Sequence, residues 1–392
     1  MSPPRTSTSL RRFAGAEADE ISILCQPEGP SQDAAGAARA TYGALVARLA
    51  ADGAERGSVV SETIFLRDVR RDLALVLDLR ARALAAAGLT APAPGVIEQA
   101  PLDGSAFAVA ASAIVPRRCD GWSVWDVPAA PTCRCEGCAA TAARLVRMGD
   151  QVSLQTSNIH GRGDDAATEA VQMFAAGEAL LARCGLTFRD VVRTWIHLRD
   201  IDRDYDALNQ ARRAFFQSRG VDPPPASTGV QGGPLPDAHA FSLRLQAVRS
   251  PRPIEVAPIS TPTLNEAWSY GADFSRGLRV VEANKIALHV SGTASIDEAG
   301  RTAHVGDSAG QVERMLLNIA TLLRGQGATF ADLVSGVVYL KRPGDAPLLR
   351  DLCRRRGFDG FPCALVEAPL CRPELLCEAE AVAMLPLDAR AA

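Results

Sequence analysis

The feature that most constrains this 392-residue chain is that it repeats itself. Residues 38–68 (ARATYGALVARLAADGAERGSVVSETIFLRD), 169–200 (EAVQMFAAGEALLARCGLTFRDVVRTWIHLRD) and 311–342 (QVERMLLNIATLLRGQGATFADLVSGVVYLKR) follow one plan. Apolar residues at helical spacing lead to a glycine and then to an apolar strand. From Gly53 to Asp68, from Gly185 to Asp200 and from Gly327 to Arg342 the spacing is 15 residues each time. Glycine suits the position just past a helix because it reaches the left-handed region without a Cβ clash. Strands are predicted over 59–66, 191–198 and 334–340. Each copy then closes on a second helical stretch, a Pro-containing loop and two more strands, ending at 107–115, 241–248 and 375–384. The third copy opens on a hairpin, with a strand over 286–295 and a turn at 297–300. Each unit reads β-β-α-β-α-β-β, an α+β sandwich of one sheet and two helices.

The units divide the chain into 1–117, 146–250 and 269–392, with linkers at 118–145 and 251–268. Hydrophobic residues make up 47% and charged residues 22%, which excludes a wholly disordered chain or a coiled coil. The net charge of −3 gives no overall pull on nucleic acid or an anionic membrane. No apolar run is long enough for a transmembrane helix, and the first residues lack an apolar signal core. The expectation is a cytoplasmic protein with neither nucleic acid nor membrane as partner.

Ten cysteines in a reducing compartment should be thiols, metal ligands or catalytic groups. Cys119, Cys133, Cys135 and Cys138 could hold a tetrahedral structural zinc, with free linker thiols as the alternative. The five histidines show no metal-ligand spacing among themselves. No phosphate-binding glycine loop is present.

Residues 366–383 (VEAPLCRPELLCEAEAVA) align without gaps to the closing hairpin of the YjgF/RidA superfamily. The chain resembles that superfamily over nearly its whole length. The resemblance implies three tandem RidA/YjgF-like (chorismate-mutase-like) units, closed into an intramolecular pseudo-trimer that acts as a monomer. It places Glu378 on the acid that the superfamily uses to donate a proton or position a water. The superfamily's substrate-carboxylate arginine would fall at Cys363, so the bidentate clamp of the ordinary deaminases is missing. Cys371 and Glu378, seven apart, instead look like the pair of the chorismatase branch, whose members hydrolyse the enol ether of chorismate. Matching pieces are 274–276 (FSR), 290–295 (VSGTAS), 302–307 (TAHVGD), Asn209 with Arg212, and 225–229 (PASTG).

Aligned on its flanking residues, Glu378 corresponds to Ala110 in the first copy and Arg244 in the second, so one working site is expected. Strand alternation puts Glu378 and Glu380 on one face, and Glu380 reads as a solvated edge carboxylate. A shielded carboxylic acid can protonate an enol-ether or enamine carbon, with no cofactor required. Arg276 and Arg212 are expected to bind the carboxylates of a small-molecule substrate. Gly292 and Thr293 lie where backbone can approach a ligand, and Cys371 is expected in the site wall. Three readings follow: a chorismatase-like hydrolase or lyase, a RidA-type enamine or imine deaminase, and a non-catalytic small-molecule binder.

Overall fold

A computed structural model describes residues 5–31, 33–118, 120–128, 142–233, 239–265 and 273–387. Among them are three mixed sheets and six α-helices. The first unit runs β1 (Thr6–Ala14), β2 (Ala18–Pro27), α1 (Ala34–Ala51), β3 (Val59–Leu66), α2 (Val69–Ala86), β4 (Gly95–Glu98) and β5 (Phe107–Pro116). The second runs β6 (Trp122–Pro128), β7 (Ala142–Met148), β8 (Gln151–Thr156), α3 (Ala166–Arg183), β9 (Val191–Leu198), α4 (Ile201–Arg219), β10 (Ala226–Gln231) and β11 (Phe241–Arg249). The third runs β12 (Glu255–Pro258), β13 (Gly277–Val281), β14 (Ile286–Ala294), α5 (Ser308–Arg324), β15 (Leu333–Leu340), α6 (Ala346–Arg356), β16 (Cys363–Glu367) and β17 (Cys377–Leu385).

The strand orders are β1-β2-β5-β3-β4, β10-β9-β11-β8-β7-β6 and β12-β13-β14-β17-β15-β16. In each sheet the strand after the first helix pairs in parallel with the strand after the second, and all other pairs are antiparallel. β6 and β12 lie within the stretches read from sequence as linkers; each adds an edge strand to the sheet that follows it. Cys119, Cys133, Cys135 and Cys138 lie outside the described residues. Among the described residues no group of three His, Cys, Asp or Glu could hold a metal, and no helix is long and apolar enough to cross a membrane.

Local chemistry explains the repeated elements. Asp68, Asp165 and Asp200 cap α2, α3 and α4, each accepting from a first-turn backbone N–H. Gly53, Gly185 and Gly327 all have positive φ, as the helix-end reading requires. Thr187 with Asp190, and Thr329 with Asp332, form the same capping box ahead of β9 and β15. Each helix pair covers one face of its own sheet. In the second unit Phe174, Phe188 and Phe216 are buried between helices and sheet, each contributing about 1.5–3 kcal/mol by burial. The opposite faces look inward. On β9, Ile196 and Leu198 join that core, while Arg193, Trp195 and His197 alternate with them and line a central cavity.

Three seams join the units. At the first, Asn158 brackets β4, accepting from the Val96 N–H at 3.1 Å and donating to the Val96 carbonyl at 2.8 Å. At the second, Ser227 N–H donates to Ser291 Oγ at 2.8 Å and Gly292 N–H to Thr228 Oγ1 at 3.0 Å. At the third, Leu102 N–H donates to the Leu365 carbonyl at 2.9 Å, and Glu367 N–H to the Ala100 carbonyl at 2.8 Å.

Candidate active site

The second seam brings the predicted acid together with its neighbours. Glu378 stands on β17 opposite Tyr339 of β15 and Ala294 of β14, and it is buried. A bulge in β14 between Val290 and Thr293 turns Gly292 toward it. A Cβ on Gly292 would fall 2.0 Å from Glu378 Oε1, so only glycine leaves room for the acid as it stands. The Gly292 N–H is held by Thr228 of the second unit, and Thr293 donates its hydroxyl to the Ser291 carbonyl at 2.9 Å, fixing the bulge.

Burial pushes the Glu378 carboxyl up to about 8, and the nearby Glu380 carboxylate adds to the rise; Arg276 and Arg193 pull in the other direction. The group is therefore mostly protonated at neutral pH. A carboxylic acid in that state can donate a proton to carbon, which an ionised surface glutamate cannot.

Glu380 is not the solvated carboxylate expected from sequence. It is buried, accepting from Arg193 Nη2 at 2.9 Å and from Trp195 Nε1 at 2.7 Å. The reason is tertiary: β9 of the second unit lays a cation and an indole across this part of β17. Arg193 also donates to Thr228 Oγ1 at 2.6 Å, so one guanidinium ties together Glu380 and the hydroxyl that holds Gly292. Removing one partner of such a buried pair costs about 3–5 kcal/mol.

The strand registers also correct the alignment of the acid. Thr63 pairs with Ala110, Trp195 with Arg244 and Val337 with Glu380. One step along, Phe65 pairs with Ala108, His197 with Ser242 and Tyr339 with Glu378. Ala110 and Arg244 are thus the counterparts of Glu380, and the counterparts of Glu378 are Ala108 and Ser242. The sequence alignment had slipped by two residues, which keeps every side chain on its face and so leaves the alternation unchanged.

Arg276 and Arg212 converge from different units. Arg276 precedes β13 and Arg212 lies on α4; their guanidinium carbons sit 5.6 and 5.5 Å from the centroid of the Phe274 ring. Both are buried. Arg212 donates to Asn209 Oδ1 at 2.7 Å, and Arg276 donates to the Asn265 carbonyl at 2.9 Å. Cys371 lies in the β16–β17 loop, packed against the cores of both units and hydrogen-bonded with Tyr205 of α4. Burial and the nearby Glu378 raise its thiol to about 12, so it is neutral at pH 7 and no thiolate nucleophile. Cys363 pairs with Gly336 at the position where Ser227 pairs with Thr194. The strand beside Glu378 is β10, so Ser227 is the residue at that position in the acid's own seam, and it too is no arginine.

Sequence reasoning missed Arg193, Trp195 and Tyr205, and touched Thr228 and Phe274 only as members of the matching stretches 225–229 and 274–276. The available signal was Arg193, Trp195 and His197 alternating along β9, a pattern that fits one polar face turned away from the helices.

No family model matches the chain. Its fold is that of a crystallised chorismatase: the two superpose with a TM-score of 0.62 at 19% identity, over 85% of this chain and 95% of that one. In sequence it is 27% identical over 225 residues to the 3-hydroxybenzoate synthase of Streptomyces hygroscopicus. That match takes in 50% of this chain and 64% of the relative, so the chain spans less than two thirds of the relative's length. A RidA protein from an Antarctic Psychrobacter aligns with 33% of this chain and 99% of its own, at 18% identity and a TM-score of 0.28. The likeness is to the RidA-like, chorismatase-like branch that the motifs at 366–383 indicate.

Proposed function

We propose that this protein is an enzyme acting on chorismate or a closely related enol-ether carboxylate, with Glu378 as proton donor. The observation that carries the reading is a buried carboxyl group, pushed up to about 8, at the seam of two units, with the buried Arg276 near it and Arg212 against the same Phe274 ring as Arg276. A chorismatase of the same fold and a 3-hydroxybenzoate synthase related in sequence support the substrate class.

Glu378 would transfer its proton to the methylene carbon of the enolpyruvyl group. The alkene pair forms the new C–H bond, a lone pair of the ether oxygen moves toward the carbon left electron-poor, and an oxocarbenium ion results. Water adds to that cation and loses a proton to the Glu378 carboxylate. The hemiketal then breaks its C–O bond, releasing pyruvate and a dihydroxycyclohexadiene carboxylate; loss of water from the latter would give a hydroxybenzoate. Arg276 and Arg212 would bind the two carboxylates, since a planar guanidinium matches a carboxylate edge to edge. The Cys371 thiol would pack against the ring. The three units would act as an internal pseudo-trimer in a monomeric protein, and the reaction would need no metal or nucleotide. A structural zinc on Cys119, Cys133, Cys135 and Cys138 stays a separate proposal, tested by native mass spectrometry of wild type and Cys135→Ser.

Incubation with chorismate, and in parallel with a simple imino acid, tests the reading. Pyruvate should appear from chorismate in the wild type and not in Glu378→Gln. Ammonia release from the imino acid with no pyruvate from chorismate would replace this reading by a deaminase, and turnover of neither would leave a binder.

A further inference from the structure

The inner faces of the three sheets enclose a cavity of about 180 Å³, partly open to solvent. Arg193 and Glu380 line it; Glu378 does not. Most charges on its wall are balanced. Arg193 pairs with Glu380 at 2.9 Å, and Lys285 pairs with Glu20 at 2.7 Å and Glu282 at 3.1 Å.

Arg244 of β11 differs: among the described residues no carboxylate contacts it, although that of Glu380 attracts it through space. It is only 7% exposed, and among the described residues it makes no hydrogen bond or ion pair; its Nε is buried without a partner. Burial brings its pKa down to about 10, so it keeps its charge at neutral pH. Its guanidinium lies against Trp195, 5.3 Å from the ring centroid, and Arg193 lies against the same indole at 4.9 Å. Arg193 Nη1 also lacks a partner, as do both ring nitrogens of the buried His289. Burial and the charges of Arg193 and Lys285 push His289 down to about 3, so at neutral pH its ring offers one donor and one acceptor. The position of Arg244 is built in: a Cβ on Gly95 of β4 would fall 2.5 Å from Arg244 Nε, so glycine lets the side chain lie across that strand.

A buried guanidinium nitrogen with no hydrogen-bond partner is costly unless a ligand satisfies it. We propose that the central cavity binds a small monocarboxylate on the Arg244 fork, with Arg193 Nη1 and His289 supplying further polar contacts. A carboxylate matches the planar fork with two parallel hydrogen bonds and supplies the contact that Arg244 lacks. Cavities of about 150 Å³ accept benzene, so this one has room for a benzoate-sized anion whose ring lies among Trp195, Ile23 and Ala111. This site is separate from the acid cleft and does not depend on the reaction proposed there.

The test is calorimetric titration of the full chain with sodium benzoate. Wild type should bind one benzoate saturably. Arg244→Met should weaken binding about tenfold or more, as loss of a buried charged partner does. Gly95→Ala keeps the charge but displaces the guanidinium and should also weaken binding, which keeps the test decisive if Arg244→Met does not fold. Arg276→Ala, which alters the acid cleft, should leave the affinity unchanged. Absence of saturable binding, equal affinity in wild type and Gly95→Ala, or loss of binding in Arg276→Ala would each overturn the proposal.

Discussion

The first and second seams are built from the same parts and end in opposite states. At the second, Gly292 leaves space and Glu378 fills it with an acid. At the first, Ser242 holds the register position of Glu378, and Asn158 reaches across to both backbone groups of Val96 while its amide lies 3.4 Å from Ser242 Oγ. One seam keeps an acid from its natural partner, water; the other uses its amide on the backbone of the facing strand. The third seam adds apolar packing to its backbone hydrogen bonds: Leu24, Phe65 and Ala108 merge into the core of the third unit. Because the three sheets belong to one chain, the residues at each seam differ. A site can then rest on a buried acid in one place while the other two seams supply stability.

Glu378→Gln should show the largest contrast. It keeps the shape but cannot protonate carbon, so single-turnover rates should fall by about 10²–10⁴, whereas Ser242→Ala should leave them unchanged. Equal effects at the two seams would end the distinction. Next come Gly292→Ala and Asn158→Ala. The first should displace Glu378 and lower kcat by roughly 10–100-fold with little change in unfolding midpoint. The second should cost about 1–3 kcal/mol in urea unfolding, because the Val96 backbone loses its partners, with kcat preserved.

A smaller effect separates the acid from its electrostatic neighbour. Glu378 near 8 predicts activity that declines as pH rises through about 8, where the proton donor is lost. Glu380→Gln removes a like charge and frees Arg193 to act on Glu378. Both changes favour the carboxylate, so the alkaline limb of kcat/KM should move down by roughly 1 pH unit. A limb that stays put would remove Glu380 from the account. The smallest change is expected for Arg212→Ala, which should mainly raise KM, as uniform binding of ground and transition states requires.

The acid cleft was partly legible in the chain. Glu378, Cys371, Arg276 and Arg212 come from motifs, and the structure gathers them around the second seam. The unit plan was legible too, because helix period, Asp caps and helix-end glycines are set within a few residues of sequence. The burial of Glu380 was not, since its partner Arg193 is 187 residues away. Nor was the correct counterpart of Glu378: strand periodicity repeats every two residues and cannot detect a slip of two.

What the sequence determined by itself is therefore local and periodic: three β-β-α-β-α-β-β units, their caps and turns, and a single glutamate at the acid's position. The tertiary structure decided what that glutamate is. Its protonation depends on burial and on Glu380, the position of Glu380 depends on Arg193 and Trp195 from another unit, and the burial of an unpartnered Arg244 Nε arises only where the inner faces meet. Desolvation and charge pairing depend on what lies within a few ångströms in space, and no periodicity along one strand encodes which strand of another unit will lie there.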